Sequence, residues 1–237
     1  MVDIFQDGEA MNLTTTYDAK DKSLLAQLGM YMLYHPIVIE ASKEHNLNPW
    51  VIAGIGSRES RWGLALTPNG PSGTGDFTPR HCVGRVEKFR SDLLPPDGLG
   101  YGRGLLQIDF DAHEFARGND WKDPGANIMF AAMLLKESVL IVKRRCMSAN
   151  ASVVIKGYDP DQFIRYGLAA YNAGPLAVIT TIREGKDCDS CTTGRDYSAD
   201  VLNRAGWFEQ NLQVLRRTDS YRLGLLNQDS SIQVNYL

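Results

Sequence analysis

Glu59 closes an apolar helical run, Ile52-Ala53-Gly54-Ile55-Gly56-Ser57-Arg58-Glu59-Ser60, and is a candidate general acid. A carboxyl group facing a partly apolar cleft keeps its proton to higher pH, because its ionised form loses hydration, and near neutrality it can still protonate a leaving group. Cleavage of a glycosidic bond begins with that step. The competing reading is a solvated helix end at which Arg58 and Arg61 pair with the glutamate, a common arrangement worth little energy. Residues further along the chain separate the two readings.

Three segments follow Glu59 in order: Gly104-Leu105-Leu106-Gln107-Ile108-Asp109, Ala170-Tyr171-Asn172-Ala173-Gly174, and Thr192-Thr193-Gly194-Arg195-Asp196-Tyr197-Ser198-Ala199-Asp200-Val201. Together with Ser57-Arg58-Glu59-Ser60 they resemble the goose-type lysozymes, and more broadly the lytic transglycosylase superfamily that shares the lysozyme-like fold. The resemblance runs from Pro49 to Trp207 and implies Glu59 as the catalytic acid. It implies a second acid at Asp109, and a further one in the preceding Gly-rich loop, where Asp97 is the nearest carboxylate after a one-residue shift. Asp109 also suits a cap on the turn into Ala112-His113-Glu114-Phe115.

Gln107 offers both donor and acceptor to an acetamido group. The resemblance places it along the cleft, matches His113 to a sugar-contacting histidine, and sets Tyr197 in hydrogen-bond reach of the glutamate. Tyr171 and Asn172, at a helix end with Gly174 as C-cap, fit substrate contact and core packing equally. Trp62 and Tyr101 have flat faces suited to sugar rings, with core packing the safer reading for Trp62.

The implied activity is that of a muramidase, a glycoside hydrolase cutting the β-1,4 bond between N-acetylmuramic acid and N-acetylglucosamine in peptidoglycan. In the inverting scheme Glu59 protonates the glycosidic oxygen while Asp97 or Asp109 holds a water on the opposite face, which needs carboxyl groups about 6.5 to 9.5 Å apart. Three alternatives stand beside it. A lytic transglycosylase would use one glutamate and leave an anhydro product; a chitinase would cut N-acetylglucosamine polymers; a non-catalytic glycan-binding module would keep the fold alone. Partners implied are peptidoglycan or a chitin-type glycan and a lysozyme inhibitor protein, with no cofactor and no metal. The expected location is secreted, periplasmic or extracellular, although Met1 to Met11 carry Asp3, Asp7 and Glu9 without a basic n-region.

The formal net charge of -3 argues against a nucleic-acid surface and favours an uncharged polymer slightly. Lys143-Arg144-Arg145 reads as a helix C-terminus, where cations meet the negative end of the dipole. The apolar stretch from Asn127 to Val142 is broken by Lys136 and Glu137 and reads as a buried helix, not a membrane span. Four cysteines, Cys82, Cys146, Cys188 and Cys191, allow three pairings if all are oxidised. Cys188-Asp189-Ser190-Cys191 has zinc-ligand spacing but no matching second pair, so a local disulfide or free thiols are expected.

The expected fold is mainly α, an α+β lysozyme-like domain built around a central buried helix, with a small irregular β region beside the cleft. Periodicity and Pro signals predict helices over 23–34, Pro36 to Glu44, Trp50 to Trp62, Pro124 to about Arg145, Pro160 to Ala173, Pro175 to Glu184 and Asp196 to Arg217. Leu105 to Phe110 is a candidate strand within the Gly- and Pro-rich stretch Thr67 to Gly104 and its continuation. The polar stretch 1–21 is expected to be a loosely held arm, 22–217 a single catalytic domain, and 218–237 a tail.

Overall fold

Asn48-Pro49 starts the helix that carries Glu59, as its sequence demands. The Asn48 side chain accepts from the Trp50 amide at 2.8 Å, and Pro49 fills the first helical position, where no amide donor is needed. In a computed structural model, residues 11–80, 94–147 and 159–229 are described, the side chains as far as 213. The helices among them are α1 (Lys22–His45), α2 (Pro49–Ser60), α3 (Pro124–Met147), α4 (Pro160–Ala173), α5 (Pro175–Arg183) and α6 (Tyr197–Asp229). A small antiparallel sheet, β1 (Thr74–Gly75), β2 (Gly102–Arg103) and β3 (Ile108–Asp109), completes a mainly α fold of the lysozyme-like kind.

Two helix boundaries differ from expectation. Pro36 lies inside α1 instead of opening a new helix. It removes one helical hydrogen bond, yet the rod continues because Tyr31, Tyr34, Val38 and Ala41 on either side are all buried against the core. The last helix runs to Asp229, past the expected end at Arg217. The other boundaries fall within two residues of the predicted ones, and Gly174 takes φ 83 as the C-cap of α4.

α3 is the central helix, packed against α1, α4 and α5, and it buries Ile128, Ala131, Leu135, Val139 and Val142. By length and composition it could cross a membrane, but those apolar residues face the protein core. At its first turn the buried Asn127 staples the β region: it donates to Arg103 O at 3.0 Å and accepts from Leu106 N at 2.9 Å. The hairpin that bears Gln107 and Asp109 is thereby fixed to the central helix. Cys146, Cys188 and Cys191 carry free thiols, whereas Cys82, residues 1–10 and the tail beyond 229 lie outside the described residues.

The stretch 11–21, whose polarity predicts a loose arm, runs along α6. Leu13 is buried, Trp207 donates to Asp18 O at 2.8 Å, and Thr16 exchanges hydrogen bonds with Asn203.

The broadest helix contact is α2 on α6, and Gly54 permits it. A Cβ there would overlap the Val201 carbonyl oxygen and come within 3.2 Å of the Ala205 amide nitrogen. Backbone cannot swing aside as a side chain can, so Gly54→Ala must push the helices apart. Such overpacking costs about 1–3 kcal/mol, and urea unfolding of Gly54→Ala should register a loss of that size.

Candidate active site

Glu59 stands on the last turn of α2, where the chain reverses through Arg61 and Trp62, both in left-handed conformation (φ 52 and 54). Strain there is offset by burial of the Trp62 ring, which is fully enclosed beside Tyr31 and Tyr34 and packs on Gly56. Trp62 is thus a core residue. Tyr101, also buried, lies under the Arg80 guanidinium at 4.1 Å.

A cleft of about 960 Å³ opens in front of Glu59. The structure brings Gln107, Asp109, His113, Tyr171 and Asn172 together with Glu59 along its lining. Tyr197 lies behind them, 2% exposed, and its phenol donates a hydrogen bond to Glu59 Oε1. Tyr171 donates to Leu106 O at 2.7 Å, tying the end of α4 to the β region. Asn172 Oδ1 accepts from Thr193 N at 2.8 Å, so its carboxamide pins the loop that leads into α6.

The first turn of α6 is held by Asp189, a buried carboxylate. It accepts from Ser198 N at 2.8 Å, Ser198 Oγ at 2.7 Å and Ala199 N at 3.1 Å, capping the amides that a helix start leaves unpaired. The backbone just after Tyr197 is thereby held. Gln107 takes φ 51, donates to Gly104 O at 2.7 Å and lies where a Cβ on Gly75 or Gly102 would be. Those two glycines give the carboxamide its place beside the sheet.

Burial raises the Glu59 carboxyl to about 7, against the opposing pull of the Tyr197 hydrogen bond and the Arg58 charge. Burial also lifts the phenols of Tyr171 and Tyr197 well above the usual value, with the Glu59 charge adding to the effect, so both stay neutral donors. Desolvation lowers His113, although the charges of Asp109 and Glu137 oppose it. The site holds an acid that is half protonated near neutrality and a histidine that is uncharged there.

Asp97 is not brought to this cleft. Both its oxygens meet the fully buried Arg103, Nη2 to Oδ1 at 2.9 Å and Nη1 to Oδ2 at 2.8 Å. Its own partial burial would raise its pKa, but Arg103 and the Leu99 amide outweigh that and hold it below the ordinary carboxylate value. Asp109 lines the cleft and also caps a turn, its Oδ1 accepting from Asp111 N at 2.8 Å and Ala112 N at 3.0 Å.

Residues that sequence reasoning did not single out share the same wall. Arg80 reaches Asp109 Oδ2 at 2.6 Å, Asp76 Oδ2 at 2.7 Å and Asp111 Oδ2 at 3.6 Å, and both Asp76 and Asp111 line the cleft. The one signal in the sequence was the four-residue spacing of Asp76 and Arg80, in a stretch whose loops give no hint of where they run.

Chemically, a carboxyl raised to about 7 and the Asp109 side chain line one cleft, a combination that suits acid-assisted cleavage of an acetal. Comparison with known proteins gives the family. The family model for lysozyme g matches residues 97–212. A lysozyme g of Takifugu rubripes is 31% identical over 183 residues, covering 76% of this chain and 75% of its own. Those of Gallus gallus and Struthio camelus are 28% and 26% identical, spanning 78% and 75% of this chain and 67% of each relative. With Glu59 and Tyr197 paired across two helices and these relatives aligned along three quarters of its length, the chain belongs to the goose-type lysozymes and is a lysozyme-type glycosidase.

Proposed function

We propose that this enzyme hydrolyses the β-1,4 bond between N-acetylmuramic acid and N-acetylglucosamine in peptidoglycan, with inversion, and that Glu59 is its general acid. The observation that carries this reading is the Glu59 carboxyl itself, raised to about 7 by burial at the edge of the cleft and held by the Tyr197 phenol. Protonated, it gives its proton to the glycosidic oxygen; once ionised, it is stabilised by Tyr197 and by the Arg58 charge. The relatives' name, lysozyme g, supports peptidoglycan as the substrate, and a substrate of that kind calls for action outside the cell that makes the enzyme.

For the water on the opposite face we favour Asp109 over Asp97. Asp109 lines the cleft, whereas Asp97 is engaged by Arg103 and does not. Asp76, tied to the same Arg80, is a further carboxylate of the cleft lining. In this reading Gln107 binds an acetamido group and His113 contacts the sugar, as a neutral ring able to donate one hydrogen bond and accept another; both line the cleft. Tyr171 and Asn172 act chiefly by shaping the wall, since the Tyr171 hydroxyl donates to Leu106 and the Asn172 carboxamide oxygen accepts from Thr193.

Glu59→Gln should lower turnover of peptidoglycan by about 10²- to 10⁴-fold, and circular dichroism should report an unchanged fold. The folded-state pKa lies above the ordinary carboxylate value, so the native protein binds the extra proton and loses stability as pH rises from 4.5 through 7. Glu59→Gln removes that penalty and should be more stable than the parent at pH 8, by as much as about 3 kcal/mol; lower stability there would contradict the desolvated acid.

The kcat of the parent should fall as pH rises through about 7, where Glu59 loses its proton. Tyr197→Phe removes a hydrogen bond that favours the ionised form, so the surviving activity should lose its basic limb at higher pH than the parent, read from a pH–kcat series.

Asp109→Asn should cost about 10²-fold or more in kcat, and Asp97→Asn far less, appearing instead as lost stability because Arg103 keeps a buried charge without its carboxylate. Mass spectrometry of the products should find reducing ends in the parent digest; anhydro ends would replace hydrolysis with transglycosylation.

A further inference from the structure

Arg58 and Glu59 are neighbours on α2, and both reach across to the start of α6 and the residue before it. Glu59 meets Tyr197. Arg58 meets the residues on either side of it, Asp196 Oδ1 at 2.8 Å and Asp200 Oδ2 at 2.5 Å, with its guanidinium 5.8 Å from the Tyr197 ring centroid. The ion pairs and the phenol–carboxylate bond therefore share one register between the two helices.

Asp200 is crowded on one oxygen. Oδ2 receives both Arg58 Nη1 and Arg204 Nε, the latter at 2.7 Å, while Oδ1 receives the Tyr17 hydroxyl at 2.5 Å. The hydroxyl fixes the plane of a carboxylate that two cations would otherwise pull from one side. Tyr17 comes from the far end of the sequence, and its segment is seated on α6. Thr16 N donates to Asn203 Oδ1 at 2.7 Å, Asn203 Nδ2 donates to Thr16 Oγ1 at 3.0 Å, and a Cβ on Gly206 would overlap the Thr14 carbonyl oxygen. Arg204 is anchored in turn, donating to Ser57 Oγ at 3.1 Å, and Ser57 donates to the buried Gln27 at 2.6 Å.

We propose that Tyr17, carried by the segment 13–18 along α6, is a positioning residue of the active site, acting through Asp200 and Arg58 on the geometry of the Tyr197–Glu59 hydrogen bond. Tyr17 touches no reacting atom. Its hydroxyl orients the Asp200 carboxylate, which orients Arg58, and Arg58 holds the first turn of α6 where the Tyr197 phenol meets the acid. Acid catalysis is sensitive to such placement, because a displacement of an ångström at the reacting group costs far more in rate than in binding. The inference rests on Glu59 being the general acid.

The test is a double-mutant cycle on soluble peptidoglycan fragments, with kcat and KM measured for Tyr17→Phe, Tyr197→Phe and the pair. Tyr17→Phe should lower kcat by about 5- to 50-fold with KM within about twofold. The pair should be no slower than Tyr197→Phe alone, since both changes act on one bond. An unchanged kcat, a loss carried by KM, or losses that multiply would overturn the proposal and leave Tyr17 as a packing strut. Asp200→Asn, read in the same way, takes the place of Tyr17→Phe if that variant is unfolded at the assay temperature. Glu59→Gln is assayed alongside. Full activity there removes the acid on which the proposal stands, whereas an inactive Glu59→Gln with an unaltered Tyr17→Phe removes the positioning role alone.

Discussion

The site depends on how closely α2 can lie on α6. Gly54 brings the α2 backbone against the Val201 carbonyl oxygen, a distance at which no side chain fits. Glu59, a little over one helical turn further along α2, then meets Tyr197, a little over one turn before Val201 on α6. A crossing opened by a methyl group would separate the pair, because interiors are packed too densely to close the gap elsewhere. Gly56 serves the other face of the same helix, admitting the Trp62 ring at 2.6 Å from where its Cβ would stand and letting the chain turn back beneath the core.

That crossing also sets the electrostatic balance at Glu59. Burial between two helices raises its pKa, while a phenol and a neighbouring guanidinium pull it down, and the result is an acid poised near neutrality. Arg58 is a restrained opponent. Its charge is shared with Asp196 and Asp200, so it stabilises the ionised glutamate less than a free arginine at one residue's distance would. A sequence in which Arg58 simply paired with Glu59 would have an ordinary carboxylate at its helix end. The structure turns the arginine away and leaves the acid to a neutral donor.

Local signals made most of the helical frame legible. Asn48-Pro49 and Asp159-Pro160 are cap-and-proline starts, Gly174-Pro175 is a stop followed by a start, and each fell where short-range chemistry put it. Pro36 misled because its helix-breaking tendency is a local cost that buried residues on both sides override. Glu59, Gln107, His113, Tyr171 and Asn172 gather in one cleft as their motif order implies. The aspartates were harder to read. Asp97 sits in a Gly-rich loop whose partner, Arg103, is buried against Phe110 and Trp121, and nothing in the spacing reveals that a cation lies inside the protein there. Asp76 and Arg80 belong to a loop with no periodicity, so only tertiary contact places them beside Asp109.

Asp109 illustrates why the turn-cap and water-holding readings of one aspartate do not exclude each other. An ionised carboxylate offers about four acceptor positions. On Asp109, Oδ1 takes the Asp111 and Ala112 amides, and Oδ2 takes Arg80. Among the described residues these three bonds leave one position on Oδ2 for a further donor and fix its direction. A carboxylate that oriented a water while free to rotate would lose that orientation to thermal motion; one anchored by a turn and a guanidinium keeps it. Arg80 in turn is shared with Asp76 and Asp111, so its charge is spread over three carboxylates and no single ion pair closes Oδ2 to water. The cap that looks like a structural use of Asp109 is thus what would make its remaining lone pair useful.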